Sequence, residues 1–307
     1  MALDPQARTL LDQLAALDAP AAQDQQLSEA RDGWRTLSVI AGAVEEVASV
    51  ADRAIPGPAG DIGVRVYRPA DPSGAVLVWF HGGGWVLGDL ESADANCRAL
   101  ANRSGAVVVS VDYRLAPEHP SPAGFDDCLA ATSWVAARGA DLGVDPARLA
   151  VGGDSAGANL AALVAIAARH LGAPVVRFQL LVYPVTDLTM GHPSIEENAD
   201  GYLLTAATMR WFTESHLAGT DPADPSVSPL LVDDLSGLPP ALVMTAGFDP
   251  LRDEGDAYAA RLAYAGVAVD HTRYDTMIHG FFGMTALFEV ARAAMDRAGA
   301  TLRDSLA

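Results

Sequence analysis

The 307-residue chain contains no lysine: all 20 of its basic residues are arginine. That absence excludes a lysine Schiff base, a Ser-Lys nucleophile pair and a P-loop lysine. Cysteine is nearly absent too, with only Cys97 and Cys128. Two thiols cannot staple a domain of this size, and they lack metal-ligand spacing. Two buried, reduced thiols in a cytoplasmic protein are expected. No run approaches the ~18 apolar residues of a membrane helix. The opening "MALDPQARTLLDQL" is polar and acidic, without the charged-then-apolar order of a secretory signal. Positive charge is also scarce, and 39 acidic residues leave a formal net charge of −19. Such a surface repels DNA, RNA and anionic membranes, and otherwise serves solubility.

Half of the residues are hydrophobic and 19% are charged, which suits one large α/β domain with decorations or two smaller domains. From residue 75 onward, apolar runs rich in β-formers alternate with helical spacing. The runs are "AVLVWF" (75–80), "AVVVSVDY" (106–113), "RLAVGG" (148–153), "VRFQLLVYP" (176–184), "ALVMTAG" (241–247) and "VAVDHTRY" (267–274). Strands apolar on both faces fit a parallel sheet covered by helices. The segments at 127–140 and 253–266 have helical spacing, and the β-α order predicts one doubly wound sheet. Two stretches break the alternation. Residues 1–50 read as helical, and residues 186–237 separate two strands by more than an ordinary connection. Both are expected to form a cap over a core made of 51–185 and 238–307.

The chemistry gathers at three places. Gly153-Asp154-Ser155-Ala156-Gly157 is the only G-x-S-x-G, and it joins a strand to a helix, as a nucleophile elbow requires. The turn crowds the positions two before and two after the serine, hence glycine at both. The helix N-terminus favours developing negative charge. The bland alternative is a glycine-rich turn whose serine caps the helix. "HGGGW", His81–Trp85, follows the strand 75–80 and leaves backbone N–H groups bare, as an oxyanion needs; His81 is expected to fix the loop rather than move protons. Of seven histidines, His279 alone sits in a loop at the carboxyl end of a late strand, where open α/β sheets build their sites. Asp249, at the end of the strand 241–247, is the candidate to orient it, with Asp253 in reserve. Asp253 and Glu254 otherwise read as first-turn acids that complement a helix dipole.

These motifs, with "LDPQARTLLDQL", "VDYRLAPEHPSPAGFDD", "ENADGYLLT" and "GFDPLRDEGDAYAARL", resemble the hormone-sensitive-lipase-like branch of the α/β-hydrolases, a bacterial carboxylesterase family. The resemblance covers nearly the whole chain. It implies the α/β-hydrolase fold, a mostly parallel eight-stranded sheet flanked by helices, with a helical cap. It implies hydrolysis of short- to medium-chain acyl esters, with a small-molecule ester as partner, no cofactor and no metal; a homodimer is left open. It assigns Ser155 as nucleophile, Asp249 as acid and His279 as base, with the N–H groups of Gly83, Gly84 and Ala156 as oxyanion donors. Leu204, Met209, Trp211 and Phe212 of the insertion could line the substrate pocket, or only pack the cap; Trp85, beside the glycines, is a further pocket candidate. A triad does not fix the acyl acceptor, so amidase, lactonase and acyltransferase chemistry stay open. Non-catalytic receptors on this fold lose the histidine that stands here at 279.

Overall fold

Parallel strands buried on both faces need apolar residues at every position, and the central strands supply them. The computed structural model describes residues 2–307. In chain order its main elements are α1 (Pro5–Ala16), α2 (Leu27–Ala41), β1 (Ser49–Gly57), β2 (Gly60–Arg68), β3 (Val76–Phe80), α3 (Leu90–Ser104), β4 (Val107–Asp112) and α4 (Ala123–Arg138). There follow β5 (Leu149–Asp154), α5 (Ala156–Leu171), β6 (Phe178–Val182), α6 (Pro193–Glu197), α7 (Ala206–Leu217), β7 (Ala241–Phe248), α8 (Arg252–Tyr264), β8 (Val269–Ile278) and α9 (Glu289–Ser305). The eight strands form one sheet in the order β1-β2-β4-β3-β5-β6-β7-β8. From β4 to β8 every pairing is parallel, whereas β1–β2 and β2–β4 are antiparallel.

Strand periodicity divides the core into two layers. Val76, Val78 and Phe80 pack with apolar residues of α4, α5 and α8. Leu77 and Trp79 point the other way and pack with α1, α3 and α9. Helix α5 follows β5 directly. Twelve of its residues are buried, so it is apolar nearly all round, as befits a helix in the protein interior. It stops at Gly172, whose φ of +71° supplies the left-handed C-terminal residue. Cys97 and Cys128 are free, buried and in different layers. Among the described residues no helix is long and apolar enough to cross a membrane.

The six apolar runs become β3 to β8, with ends moved by a few residues. The hairpin β1–β2 carries no such run, because β1 is an edge strand exposed along most of its length. Strand β8 continues four residues beyond the expected end at 274, to Ile278, which places His279 directly at its carboxyl end. The N-terminal stretch divides. Helix α1 packs Ala7 and Leu10 into the core layer that contains α9, and the Asp4 N–H donates to the Thr276 carbonyl. Only the short turn Ala22–Asp24 and α2 reach the carboxyl ends of the strands. There Thr208 at the start of α7 donates its hydroxyl to the Gln23 side chain at 3.0 Å, joining the N-terminal segment to the insertion.

Candidate active site

The elbow is tight in the manner its glycines anticipate. A Cβ on Gly157 would fall on the Phe80 carbonyl oxygen at the end of β3, and one on Gly153 would fall on the Gly157 backbone. The crowding therefore involves the neighbouring strand as well as the turn itself. Ser155 holds φ +56° and ψ −121°, a region costly for a residue with a side chain and typical of functional turns. Its N–H is taken by the Val182 carbonyl, and its hydroxyl stands at the N-terminus of α5.

His279 meets it from the end of β8. The imidazole Nε2 lies 3.0 Å from Ser155 Oγ, and Nδ1 lies 2.7 Å from Asp249 Oδ2. Asp249 is fully buried at the end of β7, and its second oxygen accepts the Leu251 N–H at 2.8 Å. Each carboxylate oxygen thus has one fixed donor. The Tyr183 ring, 4.5 Å from the imidazole centroid, limits its movement. Three strands, β5, β7 and β8, therefore deliver the three side chains to one edge of the sheet. Asp253 stays outside this chain of contacts: it accepts from the Ser194 N–H and pairs with Arg252. Glu254 differs from the expected dipole partner. It is buried, and Oε1 accepts the N–H groups of Thr186 and Asp187; burial pushes its carboxyl well above the ordinary range. Helix α8 starts at Arg252, two residues beyond Pro250.

The glycine loop after β3 is held on all sides. Its chain needs positive φ at Gly83 (+117°), Gly84 (+62°) and Trp85 (+60°). The Gly83 carbonyl accepts from Val86 and Leu87, the Trp85 carbonyl from Ala116, and the Val86 carbonyl from Arg31. His81 is buried and donates Nδ1–H to the Gly82 carbonyl; its ring stacks on Tyr113, whose hydroxyl donates to the His81 carbonyl. Burial pushes the imidazole pKa down, which favours this neutral tautomer. Asp154, immediately before the serine, accepts the Gly82 N–H at 3.1 Å and so ties the elbow to the loop. Burial raises its carboxyl to about 6. Among the described residues, no protein acceptor takes the N–H of Gly83, Gly84 or Ala156.

Ser155, His279, Gly83 and Gly84 face a cavity of about 260 Å³. Its wall is mainly apolar and includes Trp34, Leu37, Leu87, Leu203, Leu204 and Phe212. Of the expected pocket residues, Leu204 and Phe212 therefore reach it, and the Phe212 ring covers Gly84 closely enough to forbid a Cβ there. Trp85, Met209 and Trp211 do not line it. Trp85 is turned away by its positive φ and stacks on His216 of α7 at 4.2 Å, bracing α7 against the loop. Burial in that stack pushes the His216 pKa down to about 4. Met209 is buried in the core packing, and Trp211 packs against Phe212. The motifs did not point to α2 as a wall of the cavity. Its signal was present as Ala30, Gly33, Trp34 and Leu37, spaced on one helical face.

A family model described as alpha/beta hydrolase fold matches residues 77–283, a span that includes the glycine loop, the elbow, Asp249 and His279. The chain belongs to the α/β-hydrolase family. Within it, the motifs and relatives place the chain in the hormone-sensitive-lipase-like branch of carboxylesterases. It is 48% identical over 246 residues to carboxylic ester hydrolase LipN of Mycobacterium tuberculosis (strain ATCC 25618 / H37Rv), a match covering 78% of this chain and 65% of that one. An ester-hydrolase from the metagenome of Lake Arreo superposes with a TM-score of 0.95 at 44% identity over 98% of both chains. The hyperthermophilic esterase of the archaeon Pyrobaculum calidifontis superposes with a TM-score of 0.94 at 44% identity over the whole of both chains. The shared architecture thus extends over nearly the whole chain, the helices outside the sheet included.

Proposed function

We propose that the protein is a serine carboxylesterase that hydrolyses short- to medium-chain acyl esters through a covalent acyl-enzyme. The observation that carries this reading is the continuous Ser155–His279–Asp249 chain, 3.0 and 2.7 Å long in its two links, at the floor of an apolar cavity. His279 Nε2 takes the Ser155 proton as Oγ attacks the ester carbonyl. The carbonyl oxygen becomes an oxyanion, and the uncommitted N–H groups of Gly83, Gly84 and Ala156 are the donors that would receive it. Loss of one such donor typically costs ~3 kcal/mol in the transition state. The tetrahedral intermediate collapses, the alkoxide leaves with the proton from His279, and the acyl group remains on Ser155. Water then repeats the sequence, giving its proton to His279 and releasing the acid. Asp249 holds the imidazole with Nδ1–H inward and stabilises the imidazolium. Serine, histidine, aspartate and water complete the atom balance.

An ester is favoured over an amide because the cavity wall offers mainly apolar surface to both arms of the substrate. The esterase activity for which relatives are named and the buried thiols support a soluble acyl hydrolase acting in the cytoplasm. The test is a series of p-nitrophenyl esters beside the matching anilides and a set of lactones. Turnover is expected to peak for acyl chains of about two to eight carbons and to fall beyond, as an apolar pocket of limited size discriminates by methylenes. Anilides are expected at least ~100-fold slower. No turnover of any ester, with ligand binding retained, would instead support a non-catalytic binding protein on this fold.

A further inference from the structure

A second cavity, of about 60 Å³, lies beside the substrate cavity. The two share three wall residues: Trp34 and Leu37 of α2, and Gly280 next to His279. Trp34 has the largest side chain of these three. The two chambers differ in character. The substrate cavity is apolar around Ser155, whereas the wall of the second also carries His81, Asn96, Asp154 and Tyr183. Among the described residues, His81 Nε2 has no hydrogen-bond partner although the residue is almost fully buried. Asn96 and Tyr183 add polar side chains to this wall, so it suits a chain end that carries a hydroxyl.

Resting on the esterase reading above, we infer that Trp34 is a specificity-determining residue. It closes the substrate cavity against the second chamber and so sets the length of chain that the enzyme accepts. Removal of the indole joins the chambers. The longer substrate then admitted is one whose far end carries a hydroxyl, which can bond to Asn96 or Tyr183. A plain alkyl end finds no such partner.

The test compares wild type with Trp34→Ala and with Trp34→Leu, which retains an apolar side chain if alanine weakens α2. A long chain is offered on either side of the ester: p-nitrophenyl ω-hydroxydecanoate for the acyl side, decanediol monobutyrate for the alcohol side. Their unhydroxylated counterparts are run in parallel, and p-nitrophenyl butyrate is the reference. Relative to butyrate, kcat/KM for one of the hydroxylated substrates is expected to rise about tenfold in the variants, and less for its plain counterpart. Ser38 lines the second chamber but not the first. Adding Ser38→Leu to Trp34→Ala refills that chamber and is expected to reverse the gain. Folded variants with unchanged ratios on both sides would overturn the inference. So would a gain that survives Ser38→Leu, or one equally large for plain chains. None of these results touches the esterase reading itself, which fails separately if wild type hydrolyses no ester.

Discussion

Ser155→Ala is expected to lower kcat/KM on p-nitrophenyl butyrate by at least ~10⁴-fold, with the melting temperature changed little. The substitution removes one atom, the oxygen that faces His279 at 3.0 Å. Its hydrogen bond is the only polar contact the side chain makes among the described residues, so the fold loses little with it. The backbone of the elbow is held by other groups: Gly153 and Gly157 packed against each other and against β3, and the Ser155 N–H on Val182. Alanine carries the same Cβ through the same positive φ. The loss should therefore fall on chemistry, in kcat more than in KM. A small residual rate is expected, because a water molecule attacking in place of the serine still meets the same oxyanion donors. Near-wild-type turnover would mean that another group attacks the ester.

Asp249→Asn should be almost as damaging, by about 10⁴-fold in kcat. The reason lies in the second hydrogen bond of the carboxylate. The Leu251 N–H donates to Oδ1 at 2.8 Å and would keep the amide oxygen of the variant there. The amide NH₂ is then forced to the Oδ2 position, facing His279 Nδ1. A donor facing Nδ1 demands the opposite tautomer, with the proton on Nε2, and that imidazole cannot accept the Ser155 proton. Geometry is preserved while the base is switched off, so KM should stay within a few-fold of wild type. Activity within tenfold of wild type would show that Asp249 does not set the tautomer. Asp253, the alternative in the sequence, is committed to Ser194 and Arg252 and cannot substitute.

Much of this site is legible in the order of the amino acids. Continuous apolar runs mark β3 to β7 because both faces of those strands are buried, whereas β8, at the edge of the sheet, is only half-buried along most of its length. Glycine two residues either side of a serine, directly after a strand, is the spacing that a crowded strand-to-helix turn demands. Histidine can be selected by elimination, since only position 279 follows a late strand. Other parts are not legible, for identifiable reasons. Strand β1 is exposed along most of its length and has no apolar signature. Trp85 sits beside the oxyanion loop in sequence, yet its positive φ turns the indole onto α7, a reversal that composition cannot reveal. The α2 wall of the cavity comes from a helix more than a hundred residues from Ser155, and an amphipathic pattern alone does not say what its apolar face covers. The role of Glu254 is also hidden: at a helix start it resembles a dipole partner, but it binds two backbone N–H groups in the interior.

Whether Ser155 forms the covalent bond to substrate is tested most directly by stoichiometric phosphorylation. Diethyl p-nitrophenyl phosphate offers a tetrahedral phosphorus to the same nucleophile. The Ser155 oxygen bonds to phosphorus, p-nitrophenolate departs, and His279 retains the proton. The expected result is release of one p-nitrophenolate per chain, full inactivation, and a diethylphosphoryl group located by peptide mass spectrometry on Ser155, with no label on the Ser155→Ala variant. Complete inactivation with the label on a different residue, or continued turnover by a chain labelled at Ser155, would contradict a serine nucleophile at this position.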